Sequence, residues 1–184
     1  MADRMAAEIR IGGKVRRSVA EVLCKVIATS AASLDWGEAR FDPRTIDELL
    51  ASRSDDGNGL RLLTFYDDQA RWGEFDSLET FLQEQGIPYC RYSEGKYDYD
   101  AETSLFHPDC GLVESLTDHN RHPVVQASEL TPIAATLAKV LAEMRSGEVP
   151  SVKLQRKLQR IHGKLRKCLP PEVPALESFE IIEG

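Results

Sequence analysis

Apolar and polar positions alternate from Glu8 to Ile11. Ile9 and Ile11 face one way, Glu8 and Arg10 the other, which predicts a short strand closed by Gly12-Gly13. The period then lengthens: Val15, Val19, Val22, Leu23, Val26 and Ile27 fall on one face of a helix between Lys14 and Ser30. Asp42-Pro43 predicts the start of a second, short helix, with Asp as N-cap, Pro in the first turn, and Ile46, Leu49 and Leu50 on its inner side. SRSDDGNG at 52–59 reads as a loop. LRLLTFY at 60–66 reads as a strand buried on both faces, ending at Asp67-Asp68. Asp76 and Glu79 have capping-box spacing ahead of Leu78, Phe81 and Leu82, and Gly86 ends that helix. Residues 89–92, 93–96 and 97–106 predict a strand, a turn containing Gly95 and a strand. Strand, helix and strand over 60–92 predict parallel neighbours joined by a right-handed crossover.

Residues 107–123 carry no period and read as irregular, with Val124-Val125 as a short strand. Thr131-Pro132 predicts the start of a helix whose inner face is Ile133, Leu137, Val140, Leu141 and Met144, closed by Gly147 and Pro150. Ser151 is the expected cap of another helix, with Val152, Leu154, Leu158, Ile161, Leu165 and Leu169 inward and Pro170-Pro171 as its stop. The two helices should form an antiparallel hairpin. The closing ESFEIIEG fits either a docked edge strand or a loose tail. The expected fold is therefore α/β (α+β): a two-layer sandwich of a small mixed sheet with helices on one face, plus a C-terminal helical hairpin. The divisions are 1–128 for the sandwich, 129–171 for the hairpin packed on it, and 172–184 for the tail.

Composition narrows the class without naming a function. With 184 residues, 42% hydrophobic and 29% charged, the chain is neither collagen-like nor mucin-like nor wholly disordered. A chain of this length buries about 70% of its unfolded surface and needs no staples. Cys24, Cys90, Cys110 and Cys168 are widely spaced and form no CxxC pair, so reduced thiols and a cytoplasmic location are expected. The N-terminus lacks the apolar run of about 7–15 residues that a secretory leader needs, and no stretch approaches the roughly 18 apolar residues of a membrane span.

Charge changes the picture more. The net charge is −7, which argues against a protein that coats nucleic acid over its whole surface. Its distribution is uneven. Residues 1–148 hold 16 basic and 26 acidic side chains, residues 149–171 hold seven basic and none acidic, and residues 172–184 hold four glutamates.

Four constellations are candidates for chemistry. In YCRYSEGKYDYDAE, alternation places Tyr97, Tyr99 and Ala101 on one face and Asp98, Asp100 and Glu102 on the other. With Asp67 at a strand end, these carboxylates could hold Mg²⁺ or Mn²⁺ against a phosphoryl group, with Arg91 or Lys96 pairing the phosphate. Asp100-Ala101-Glu102 is similar to the acidic pair of a D/ExK nuclease core but lacks its lysine, since position 104 is Ser. The alternative is a solvated acidic face with the tyrosines on the core. His107, Cys110, His119 and His122 are zinc-ligand types in an order that matches no standard finger; exposed loop residues explain them equally. Gly12-Gly13-Lys14 sits between a strand and a helix, but neither the glycine spacing nor the residue after Lys fits a P-loop; a tight turn is the competing reading.

The fourth is the basic helix SVKLQRKLQRIHGKLRKCL, with Leu154, Leu158, Ile161 and Leu165 as a narrow seam among seven cations. It suits docking on the acidic remainder of the chain, a protein partner or second copy, or nucleic-acid phosphates. The chain has no GxSxG elbow, and no cofactor is expected. These features favour a non-catalytic protein-interaction or self-association module contacting its partner through Arg156, Lys157, Arg160 and Lys164. The alternative is a metal-dependent phosphodiesterase or nuclease using Asp67, Asp98, Asp100 and Glu102.

Overall fold

A computed structural model describes residues 3–57, 59–96, 100–146 and 150–183. The N-terminal strand β1 (Arg4–Ile11) lies inside a six-stranded sheet because its alternating face is wholly apolar: Ala7, Ile9 and Ile11 are fully buried. On one side it pairs with β4 (Arg61–Arg71), whose outer neighbour is β3 (Arg53–Asp55). On the other it pairs with β5 (Tyr89–Ser93), followed by β6 (Glu102–His107) and β7 (Gly111–Leu116). All pairings in this sheet are antiparallel. A separate two-stranded sheet joins β2 (Lys14–Arg16) in parallel to β8 (Glu180–Ile182).

Helices α1 (Arg17–Thr29), α2 (Ile46–Ala51) and α3 (Asp76–Glu84) complete this unit. Ala20, Leu23, Cys24 and Ile27 of α1 and Leu78 and Leu82 of α3 share one core with Ile9, Ile11, Leu63, Phe65 and Tyr89. The expected mixture of α and β structure, with helices on the sheet, is what forms. The crossover at 60–92 is corrected in one respect. Strands β4 and β5 are both antiparallel to β1, hence parallel to each other, but β1 lies between them. The N-terminal strand fills the slot, with Met5, Ala7, Ile9 and Ile11 buried along one face.

Local chemistry moves several boundaries. Thr45, not Asp42, caps α2: its Oγ1 accepts the Glu48 N–H at 3.2 Å, and Glu48 in turn accepts the Arg44 N–H at 2.8 Å. Asp76 does not cap α3; Phe75 stands at the cap, and its N–H is satisfied by Glu79 at 2.8 Å. The loop expected at 52–59 contains edge strand β3, and the irregular stretch after 107 contains β7. Asp67 and Asp68 lie within β4 rather than ending it.

The C-terminal segment forms a strand. Phe179 is fully buried in the core of this unit. Its N–H donates to the Arg61 carbonyl at 2.7 Å, and its carbonyl accepts from Arg53 at 3.1 Å. The chain also divides into two units: residues 1–122 with 172–184, and residues 123–171. The second unit is therefore an insertion between β7 and β8, with both of its ends continuing into the first unit. It contains α4 (Ala127–Ser146) and α5 (Ser151–Cys168), which pack against each other. Helix α4 starts a turn earlier than Thr131-Pro132 suggested and carries Pro132 inside it. Pro150, not Ser151, stands at the N-cap of α5. The expected stop at Gly147 lies outside the described residues.

Candidate functional site

The glycine pair is structural. The Gly13 N–H donates to the Glu177 carbonyl, and the Gly13 carbonyl accepts from Glu180, both at 3.0 Å. A Cβ on Gly12 would overlap the Glu177 carbonyl oxygen. The two glycines let the returning C-terminal strand approach the backbone, so the phosphate-cradle reading is replaced by a strand-docking one.

The acidic residues do not converge. Register links Asp67 to Ala7, Ala7 to Ser93 and Ser93 to Glu102. Asp67 and Glu102 thus stand three strand spacings apart, about 14 Å. Asp67 accepts the Gln69 N–H at 2.8 Å. Glu102 receives Arg91 at 3.0 Å and the Ser104 hydroxyl at 3.1 Å. Asp100 is exposed ahead of β6, while Asp98, with Tyr97 and Tyr99, lies outside the described residues. Nor do the histidines and cysteine gather. His107 and Cys110 lie at one end of β7 and His119 and His122 beyond the other, about 17 Å away over the strand's six residues. Among the described residues, no group of three or more His, Cys, Asp or Glu side chains is placed to hold a metal ion.

Two charged clusters were not legible in advance. The first is buried in the core. Arg91 is 2% exposed and lies 2.9 Å from the Glu79 carboxylate. It also donates to the Gly73 carbonyl, Ser93, Glu102 and Ser104. Tyr89 accepts from Gln83 and donates to Glu79, and burial followed by the neighbouring Glu79 charge pushes its phenol well above the ordinary range. Such a network holds α3 onto β5 and β6; its charges are spent on one another.

The second lies on the sheet face opposite α1 and α3. Glu8 stands between Tyr66 and Tyr92, its cross-strand neighbours. Arg10 reaches it at 2.5 Å and Arg121 grips it with both Nη atoms, at 3.1 and 2.5 Å. Arg121 also lies 4.5 Å from the centre of the Tyr92 ring. Burial pushes the Glu8 carboxyl up, but the two arginines outweigh it and hold the group below its ordinary value. Beside them, burial pushes the Cys90 thiol up, which keeps it protonated and a poor nucleophile. A turn aims Arg121: Asp118 accepts the N–H groups of Asn120 and His122, and Arg121 adopts a φ of 66°. The arrangement clamps the last loop before the inserted hairpin.

The hairpin leaves most of its own surface uncovered. Val140 and Ile161 alone are buried among the described residues of α4 and α5. They line a groove of about 280 Å³ whose other walls are Thr136, Lys139, Glu143, Lys157, Arg160 and Lys164. Lys157 is spent on Glu143, donating to its two oxygens at 2.7 and 2.5 Å. Lys139, Arg160 and Lys164 form no ion pair among the described residues. Three of the four cations singled out in the sequence thus line one groove. Arg156 is exposed on the same helix but is not part of that wall. One helical step around α4, Leu137, Leu141 and Met144 make a stripe left 37%, 45% and 47% exposed.

No family model, curated protein or solved structure matches this chain. The geometry is therefore what bears on function. No helix among the described residues is long and apolar enough to cross a membrane.

Proposed function

We propose that the chain is a non-catalytic interaction module whose inserted hairpin, α4 and α5, docks a protein partner. One observation carries this reading: two helices of 20 and 18 residues bury a single side chain each, while leaving in solvent an apolar stripe and cations that form no ion pair among the described residues. Helices of this kind owe most of their stability to burying an amphipathic face, and one pair of buried residues supplies little of that. Covering Leu137, Leu141 and Met144 would contribute about 1 kcal/mol or more each, given their partial exposure. Elsewhere, the Arg91 and Glu8 clusters pair their charges with one another inside the first unit.

Four free cysteines, one of them buried in the core, support a reducing, cytoplasmic setting for the module. The test compares the partners retained from a cell extract by the wild-type chain with those retained by the Arg156→Ser, Lys157→Ser, Arg160→Ser, Lys164→Ser variant. Loss of specific partners, with circular dichroism unchanged, is expected. An identical set of partners on both would refute the role of this surface.

A further inference from the structure

We infer that the outer side of α4 is a self-complementary seam through which two copies of this chain pair as an antiparallel two-helix coiled coil. This rests on the reading of the hairpin as a docking surface and names the occupant of one of its sides. Helix α5 packs on the side of α4 that carries Thr136, Lys139, Val140 and Glu143. Each residue advances about 100° around a helix, so Leu137, Leu141 and Met144 are centred roughly 120° away from that side. They belong to a longer pattern. Ala127, Leu130, Ala134, Leu137, Leu141 and Met144 follow one another at spacings of 3, 4, 3, 4 and 3 residues. All six are exposed. This is the a/d repeat of a coiled coil, sustained along almost the whole helix.

The chemistry of this side selects its occupant. Its flank away from α5 is Thr131, Ala135, Ala138 and Ala142, while Lys139 and Glu143 stand on the α5 side. Between Leu130 and Met144 the seam therefore bears no charge. Phosphates and carboxylates, including the chain's own, find no cation to meet there. An uncharged apolar strip seats another apolar strip, and the order of its residues says which. With the helices antiparallel, Ala127 falls opposite Met144 of the second copy, Leu130 opposite Leu141 and Ala134 opposite Leu137, each pair occurring twice about the two-fold axis. Every alanine then meets a large side chain, so the hole in one copy receives the knob of the other. A parallel pair would set alanine against alanine and leave holes. An unrelated helix has no reason to carry the matching order, whereas a second copy carries it by symmetry. The overlap of about 18 residues is about 27 Å long and about 10 Å wide. That footprint, on the order of 300 Å² per copy, is well below the roughly 800 Å² of a standard interface, so the pairing is weak and reversible.

Sedimentation equilibrium of the full chain, from about 5 to about 500 µM, covers this weak class of contact. A monomer–dimer equilibrium is expected. Leu137→Glu/Leu141→Glu should weaken it about 10-fold or more, and Val152→Glu/Leu169→Glu, the same exchange at exposed apolar residues of and just after α5, less than about 3-fold. Circular dichroism checks the helices, and Ala134→Lys, at an exposed position, carries the comparison if the double variant loses helicity. Raising the salt to about 1 M should leave the dimer unchanged or tighten it, because each copy carries −7 and the seam carries no charge. Pairing through the cationic groove would weaken instead. Direction is read by mixing Ala134→Glu chains with Leu137→Lys chains: antiparallel pairing brings these positions together, so the mixed dimer should be tighter than either variant's own. A chain that stays monomeric throughout overturns the inference, as does a dimer that dissociates in high salt. Equal effects of the two double variants, or a mixed dimer no tighter than its parents, also overturn it. None of these results removes the hairpin's docking role, which falls only if the serine variant of α5 retains an unchanged set of partners.

Discussion

Replacing Phe179 with Ala tests how the inserted hairpin is anchored. Phe179 is fully buried, and its ring lies in the same core as Ile9, Leu63 and Phe65. Removing a buried ring of this kind costs about 3–5 kcal/mol, the transfer term plus the cavity left behind. Backbone bonds from Phe179 to Arg61 and from Glu180 to Gly13 hold the segment in place, so partial collapse of the site is limited. A domain of this size is stable by about 5–15 kcal/mol in all, so the substitution should remove a large part of it. Urea unfolding followed by tryptophan fluorescence gives the loss directly, since Trp36 and Trp72 both lie in the first unit. A second variant, Gly12→Ala, attacks the same docking from the other side through its overlap with Glu177. Combined, the two should cost less than their sum, because each releases β8. A loss below about 1 kcal/mol for Phe179→Ala would refute the reasoning, since no fully buried core phenylalanine is that dispensable.

The Glu8 clamp predicts acid sensitivity. The folded-state value of Glu8 is depressed, so its contribution is present above the ordinary glutamate range and is lost as the pH falls through the lowered value. Glu8→Gln should flatten the acid limb of a stability-against-pH curve, and an unaltered limb would contradict the assignment. Arg121→Ala should cost about 2 kcal/mol in urea titrations by leaving a buried carboxylate with one partner fewer. Arg91→Ala strands the Glu79 carboxylate in the core and should cost about 3–5 kcal/mol, or prevent folding, as read by thermal unfolding. Thr45→Ala removes the cap of α2 and should cost about 1 kcal/mol in the same assay.

Where burial follows a clean period, the sequence announced the structure. The alternation at Ile9 and Ile11, the run at 60–66 and the helical spacing in α1 and α5 each reappear as an element in place. Edge strands were invisible for a physical reason. β3 and β7 are buried on little of their surface, so RSD and GLVESL carry no apolar rhythm. The position of β1 between β4 and β5 was equally hidden, because long-range pairing is not encoded in local period. Among candidate residues, Lys157, Arg160 and Lys164 could be found from spacing along one helix. The buried Arg91 network could not, since Glu79 and Glu102 meet it across different elements. A hint existed: Arg91 shares the inward parity of Tyr89, an odd place for a cation. Arg121 sat in a stretch with no period at all, and only its turn geometry brings it to Glu8.

Amide hydrogen exchange, read on the chain alone and with a protein partner retained from the extract, tests the hairpin's role most directly. Protection should rise within α4 and α5 and stay unchanged in the six-stranded sheet. New protection confined to the sheet or its Glu8 face, with α4 and α5 exchanging as before, would contradict the account.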